Sequence, residues 1–160
     1  MSELFKKETV KRVEKSLREF DNNLKVIALD KTARTAKDAA SSLNCELGAI
    51  IKSLVFKSEV EFFVCLVSGD KRCSLKKLKK ILNKKDVAMA NANEVKDYTG
   101  FSIGGVAPIG HLKKLNIIVD NSLSRFKYVY GAAGHPDCVF KITYSELVKL
   151  TQGEEAEIIE

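Results

Sequence analysis

Tryptophan is absent from this chain, and only two prolines and two histidines occur among its 160 residues. The four cysteines (Cys45, Cys65, Cys73, Cys138) form no C-x-x-C pair, and neither histidine is spaced for zinc. Together these absences exclude a structural zinc module. There is no G-x-S-x-G elbow and no G-x-x-x-x-G-K-[ST] loop, which removes two common hydrolase classes. No apolar run approaches the roughly 18 residues of a membrane-spanning helix. The opening Met1-Ser2-Glu3-Leu4-Phe5-Lys6-Lys7 lacks a signal-peptide pattern. These features predict a soluble, cytoplasmic protein with reduced core cysteines, no membrane partner and no metal.

Acid is scarce outside the C-terminus. The chain has 27 basic and 21 acidic residues, net +6, but its last ten residues hold Glu154, Glu155, Glu157 and Glu160 and no base. The first 150 residues therefore set 27 bases against 17 acids. Such an excess favours a polyanionic partner, most simply nucleic acid. Hydrophobic residues make up 45%. A chain of this length buries roughly 70% of its unfolded surface, enough for one unstapled core. Residues 1–160 read as one domain that opens with a helical segment within 1–23 and closes with an acidic tail at 151–160, expected to be solvated.

Val10, Val13, Leu17 and Phe20 recur at steps of 3, 4 and 3, which predicts a helix over 4–20. Strands are expected at 24–29, 50–56, 61–67, 87–90, 115–119, 126–130 and 139–142. The polar turn Lys57-Ser58-Glu59 joins the second and third of these. Thr35, Ser74 and Asn93 are positioned to cap helices. A last helix is expected over 144–150, and glycine-rich loops over 101–111 and 131–138. This interleaving predicts a mixed α/β domain whose sheet is strongly curved or partly closed.

Four features can carry chemistry. Lys52 interrupts the apolar row Ile50, Leu54, Phe56 on one strand face; such a lysine is either functional or snorkels to solvent. The run Phe101-Ser102-Ile103-Gly104-Gly105-Val106-Ala107-Pro108-Ile109-Gly110 can aim several N–H groups at one oxygen, or serve only as a turn. His135, in Gly131-Ala132-Ala133-Gly134-His135-Pro136, can orient a hydroxyl or water, or sit exposed in a turn. Between Lys71 and Lys85 stand eight bases and no acid: Lys71, Arg72, Lys76, Lys77, Lys79, Lys80, Lys84 and Lys85. With Leu75, Leu78 and Leu82 they describe a helix with a cationic face, suited to phosphates or merely to water.

As an ordered set, these pieces resemble the YbaK/prolyl-tRNA synthetase editing-domain family of trans-acting aminoacyl-tRNA deacylases. The resemblance rests on Thr35-Ala36 with Ala39-Ala40, Ile51 to Phe56, Leu66-Val67-Ser68-Gly69-Asp70 with Arg72, Thr99 to Gly110, Asp120 and Ala132-Ala133-Gly134. It covers about residues 24–150. It implies a curved mixed sheet or partial barrel surrounded by helices, and hydrolysis of the ester on a mischarged transfer RNA without metal, cofactor or covalent enzyme nucleophile. The implied substrate is a small amino acid (Ala, Cys, Ser or Thr), expected on tRNA-Pro or a related tRNA. The implied partners are aminoacyl-tRNA and an aminoacyl-tRNA synthetase. Lys52 matches the family lysine and Gly104, Gly105, Val106, Ala107 and Pro108 its catalytic loop. Ser53, Ile103, Gly134 and His135 fall to substrate binding, and Lys71, Arg72, Lys76, Lys77, Lys79 and Lys80 to tRNA binding. Two other functions fit the same fold: a non-catalytic tRNA-binding or regulatory module, and a small-molecule ester or thioester hydrolase.

Overall fold

The protein is described by a computed structural model over residues 2–30 and 35–160. Its first apolar stripe forms α2 (Glu8–Phe20), with Val10, Val13 and Leu17 buried. Leu4 falls out of phase with that stripe on a continuous helix. The chain instead makes a separate helical turn, α1 (Ser2–Phe5), and breaks at Lys6–Lys7, so that Leu4 also packs on the core. After β1 (Val26–Ala28), α3 (Ala36–Leu43) starts as expected from Thr35, whose side chain accepts the Asp38 N–H. A 3-10 turn at Leu47–Ala49 leads into the hairpin of β2 (Ile51–Ser58) and β3 (Glu61–Ser68), with its turn at Glu59–Val60. Ser74 caps α4 (Leu75–Leu82), and β4 (Ala88–Met89) follows. The next helix, α5 (Ala92–Thr99), is capped by Asn91 and not by Asn93. Asn91 has Glu94 three residues on, and the two close a reciprocal capping box.

The second half runs through β5 (Asn116–Asp120), a 3-10 segment at Asn121–Arg125, β6 (Val129–His135), β7 (Cys138–Ile142), α6 (Tyr144–Thr151) and β8 (Glu154–Ala156). One sheet has the order β4-β2-β3-β5-β8, antiparallel from β4 to β3 and parallel from β3 to β8. The other is antiparallel, in the order β1-β7-β6. They meet at a parallel bridge between Ile50 and Tyr130. The domain is mixed α/β, as expected, with two sheets joined at one corner and no closed barrel among the described residues. The main core lies between α2, the inner face of β2–β3 and the small sheet; a second cluster of Phe56, Cys65, Val67, Leu78, Ile118 and Ile158 lies under α4. All four cysteines are free thiols, with Cys65 and Cys138 buried. None of the described helices is long and apolar enough to cross a membrane.

Two further expectations are corrected. Residues 131–135 are not loop but strand, part of β6, with a bulge between Ala132 and His135. The small residues there permit close packing: a Cβ at Gly131 would lie 2.9 Å from the Phe140 ring and 3.1 Å from Pro108. The acidic end is not a solvated tail. Its β8 extends the large sheet, the Ile158 N–H donates to the buried Asp120 carboxylate at 2.8 Å, and Ile158 is fully buried. Its glutamates point outward while Ile158 supplies the anchor. Ile158→Ala should therefore cost about 2–5 kcal/mol of stability in urea unfolding, as for other fully buried aliphatic truncations. A loss below about 0.5 kcal/mol, the size of an ordinary surface substitution, would contradict the anchor.

Candidate active site

Strand β2 is bordered by β4 only at Phe56 and Lys57. From Ile51 to Leu54 its outer edge is unpaired among the described residues, and a cleft of about 360 Å³ opens along it. Because the cleft follows an edge, residues from both faces of β2 line it, Ile50 through Leu54 in succession. Thr35, Ala36 and Ala39 of the α3 segment form a second wall, Ile103, Gly104 and Val106 a third, and Tyr130, Ala132, Pro136 and Val139 the floor. The volume is at the small end of the range for ligand sites.

The third wall is the glycine-rich loop, and much of its shape is imposed from outside. Gly104 and Gly110 have φ of +96° and +78°, and the Gly105 N–H closes a turn onto the Ser102 carbonyl at 2.9 Å. Arg12 on α2 donates to the carbonyls of Gly110 (2.7 Å) and Thr99 (3.1 Å), and its guanidinium stacks 4.5 Å from the centroid of the Phe101 ring. The Nε2 of His111 donates to the Ala107 carbonyl at 2.7 Å; burial lowers the pKa of this ring and favours its neutral form. Ala107 and Pro108 are buried behind the wall, with Pro108 against Gly131. The N–H groups of Gly104, Val106 and Ala107 meet no acceptor among the described residues. Arg12 and His111 are the supports of this loop that the sequence reading missed. Arg12 is 98 residues from its partner Gly110 and leaves no local signal.

Lys52, Ser53, Ile103, Gly104 and Val106 are thus brought to one cleft. Lys52 and Ser53 emerge on opposite faces of β2. The Lys52 ammonium donates to the backbone carbonyl of Lys71, and burial lowers its pKa while Asp70 opposes the shift. The Ser53 hydroxyl is sealed from solvent and has no hydrogen-bond partner among the described residues. Gly134 lies away from the cleft lining and packs against α2, where an added Cβ would meet the Thr9 carbonyl oxygen at 2.6 Å. His135 stands beside the lining at the end of β6, its Nδ1 accepting the Asp137 N–H at 3.1 Å. Of the basic segment, Arg72, Lys76, Lys80 and Lys85 are exposed. Lys77 binds the C-terminal segment through Glu157 (3.1 Å) and the Ile159 carbonyl (2.7 Å), and Lys84 pairs with Glu61 at 2.7 Å. Two of the eight bases, Lys77 and Lys84, thus find their acids in other parts of the fold.

Next to the cleft, Arg125 grips Asp70 through two hydrogen bonds of 2.8 and 3.1 Å and donates to Ser68 at 2.8 Å. The Asp70 carboxyl is thereby lowered to about 2. Its ordinary value is about 3.9, so the ion pair stabilises the fold fully above about pH 4 and the contribution is lost as the pH falls towards 2. Asp70→Asn should melt below the wild type at neutral pH, and the gap should close between about pH 4 and 2. A gap that stayed constant over that range in thermal melts would contradict the pairing.

Comparison with known proteins places residues 30–150 within the profile of the aminoacyl-tRNA editing domain family. An uncharacterised protein, YwhH of Bacillus subtilis (strain 168), is 30% identical over 87% of this chain and 88% of its own. A proline–tRNA ligase of Thermosipho africanus is 36% identical over 61% of this chain, which covers 18% of that ligase. A crystal structure described as a "putative trans-editing enzyme for prolyl tRNA synthetase" superposes with a TM-score of 0.92 at 37% identity, covering 96% of this chain and 98% of that one.

Proposed function

Because the chain belongs to the aminoacyl-tRNA editing domain family, we propose that it hydrolyses the ester joining a small, wrongly attached amino acid to the 3′ end of a transfer RNA. Alanine, cysteine, serine and threonine are the candidate residues, and tRNA-Pro or a related tRNA the expected carrier. The observation that carries this reading is the meeting, at one small cleft, of Lys52 with a glycine-rich loop whose Gly104 and Val106 N–H groups meet no acceptor among the described residues.

In this reading, the N–H groups of Gly104, Val106 and Ala107 hold the ester carbonyl and the negative oxygen formed when water attacks. One donor of this kind typically contributes about 2.7–4 kcal/mol to a transition state. The tetrahedral species collapses by breaking its bond to the ribose oxygen, which takes up a proton; the products are a free amino acid and an uncharged tRNA. A ribose hydroxyl of the terminal nucleotide positions the water, and no enzyme nucleophile is needed for so activated an ester. Lys52 emerges on the face of β2 opposite Ser53, with its ammonium turned to the Lys71 carbonyl. That position suits the phosphate of the terminal nucleotide better than the carbonyl at the loop. A second small pocket of this kind removes errors that a synthetic pocket, limited to about 1–3 kcal/mol per methylene, lets through.

Two measurements test these roles. Lys52→Ala should slow single-turnover deacylation by roughly 10- to 100-fold, as for loss of a charged hydrogen bond of about 1.5–3 kcal/mol, with the circular dichroism spectrum unchanged. Near-wild-type turnover by the folded variant would remove Lys52 from the mechanism. The exposed α4 cations Lys76 and Lys80 are assigned to phosphates without sequence choice. Their reversal to glutamate should weaken tRNA binding and flatten the log–log salt dependence by roughly 0.7–0.9 for each phosphate no longer neutralised; an unchanged slope would mean that α4 faces only water.

A further inference from the structure

The floor of the cleft continues beyond it. Ala132 and Tyr130 line the cleft, and Tyr128 is the next residue on the same face of that chain segment, with Val129 buried on the other. Tyr128 is therefore about 7 Å from Tyr130 along the backbone. On the neighbouring strand Val139 lies opposite Ala132 in the cleft, and Lys141 lies opposite Tyr130. The Lys141 ammonium is 4.2 Å from the centroid of the Tyr128 ring, and Lys127 reaches the same ring at 5.5 Å. Tyr128, Lys127 and Lys141 are all exposed, and neither lysine has a carboxylate within ion-pair distance among the described residues. By contrast, Lys77 and Lys84 near α4 are already paired within the protein.

An exposed ring flanked by unpaired cations is the combination that binds single-stranded nucleic acid: the ring offers a stacking face to any base, and the cations track the backbone. A lysine over an exposed ring is weakly held, so a base can take the ring face and release the ammonium to the adjoining phosphate. We propose that Tyr128, with Lys127 and Lys141, forms a track on which the unpaired nucleotides preceding the esterified one leave the cleft, one base stacking on Tyr128. This rests on the tRNA-ester reading above and adds to it where the single-stranded end runs.

The test uses the full chain and two unesterified, fluorescently labelled RNA hairpins of the same stem, one with a four-nucleotide 3′ overhang ending in CCA and one blunt. Binding is followed by anisotropy, with circular dichroism as a check on folding. Tyr128→Ala should weaken binding of the overhang hairpin by roughly 5- to 100-fold, as for loss of one base–aromatic stack, and leave the blunt hairpin unaffected; Tyr128→Phe, which keeps the ring, should retain most of the affinity. Lys141→Glu should weaken the overhang complex and flatten its salt dependence. The track is overturned if Tyr128→Ala binds the overhang as tightly as the wild type, if it loses affinity equally for the blunt hairpin, or if overhang discrimination disappears only on charge reversal in α4. A wild-type chain that hydrolyses mischarged tRNA while Tyr128→Ala keeps full overhang affinity overturns the track alone. A wild-type chain that neither binds the overhang nor hydrolyses any mischarged tRNA overturns the ester reading and the track together.

Discussion

The candidate site depends on how closely the 104–108 loop approaches β6. Pro108 lies where a side chain on Gly131 would intrude, and Gly105 lies against the backbone of Gly134 and His135. Gly134 in turn lets β6 pass against the first turn of α2. A methyl group at Gly131 would meet Phe140 on one side and Pro108 on the other, and packed interiors accommodate such additions only by shifting backbone or side chains. The loop is pressed onto β6 and pinned from α2 by Arg12, so the backbone that carries the proposed N–H donors is set by contacts within the fold. Such preorganisation makes a donor array effective in a transition state, because little reorganisation remains to be done during the reaction.

The C-terminal segment performs a parallel service on the other side of β2. Asp120 accepts the Ile158 N–H and, through its other oxygen, the Ser122 N–H at 3.0 Å. The Ser74 N–H donates to the Ile158 carbonyl at 2.6 Å, and the Glu160 N–H to Arg72. The connection from β3 to α4, whose Lys71 carbonyl receives the Lys52 ammonium, is thus held at Arg72 and at Ser74. A buried carboxylate satisfied by backbone N–H groups joins the chain terminus, the 3-10 segment after β5 and the neighbourhood of Lys52 into one unit.

Much of this was legible from local pattern. Thr35 and Ser74 announced their helices by cap chemistry, and the β2–β3 hairpin was visible as two apolar runs with a polar turn. The ordered motifs from Thr35 to Gly134 pointed to the fold that the structure has. What escaped had non-local causes. Gly131 to Gly134 reads as a loop because small residues are common in loops, and only Phe140, Pro108 and Thr9 reveal that the smallness serves packing. Four glutamates disguised the last strand because its burial rests on Ile158 and on a carboxylate 38 residues away. Arg12 and Arg125 have no motif of their own; each is defined by partners that only the fold supplies. The placement of Lys52 and Ser53 on opposite faces was implicit in strand alternation, but their common cleft exists because β2 lacks a neighbour there.

The central claim, a small-pocket deacylase acting on tRNA esters, is tested most directly by single-turnover hydrolysis of a panel of tRNAs mischarged with amino acids graded by side-chain volume. The account predicts that at least one of alanine, cysteine, serine and threonine is released by the wild-type chain at a rate far above spontaneous hydrolysis. Bulkier residues on the same tRNA should be spared. A panel hydrolysed only at the spontaneous rate, or cleaved without regard to side-chain size, would contradict it.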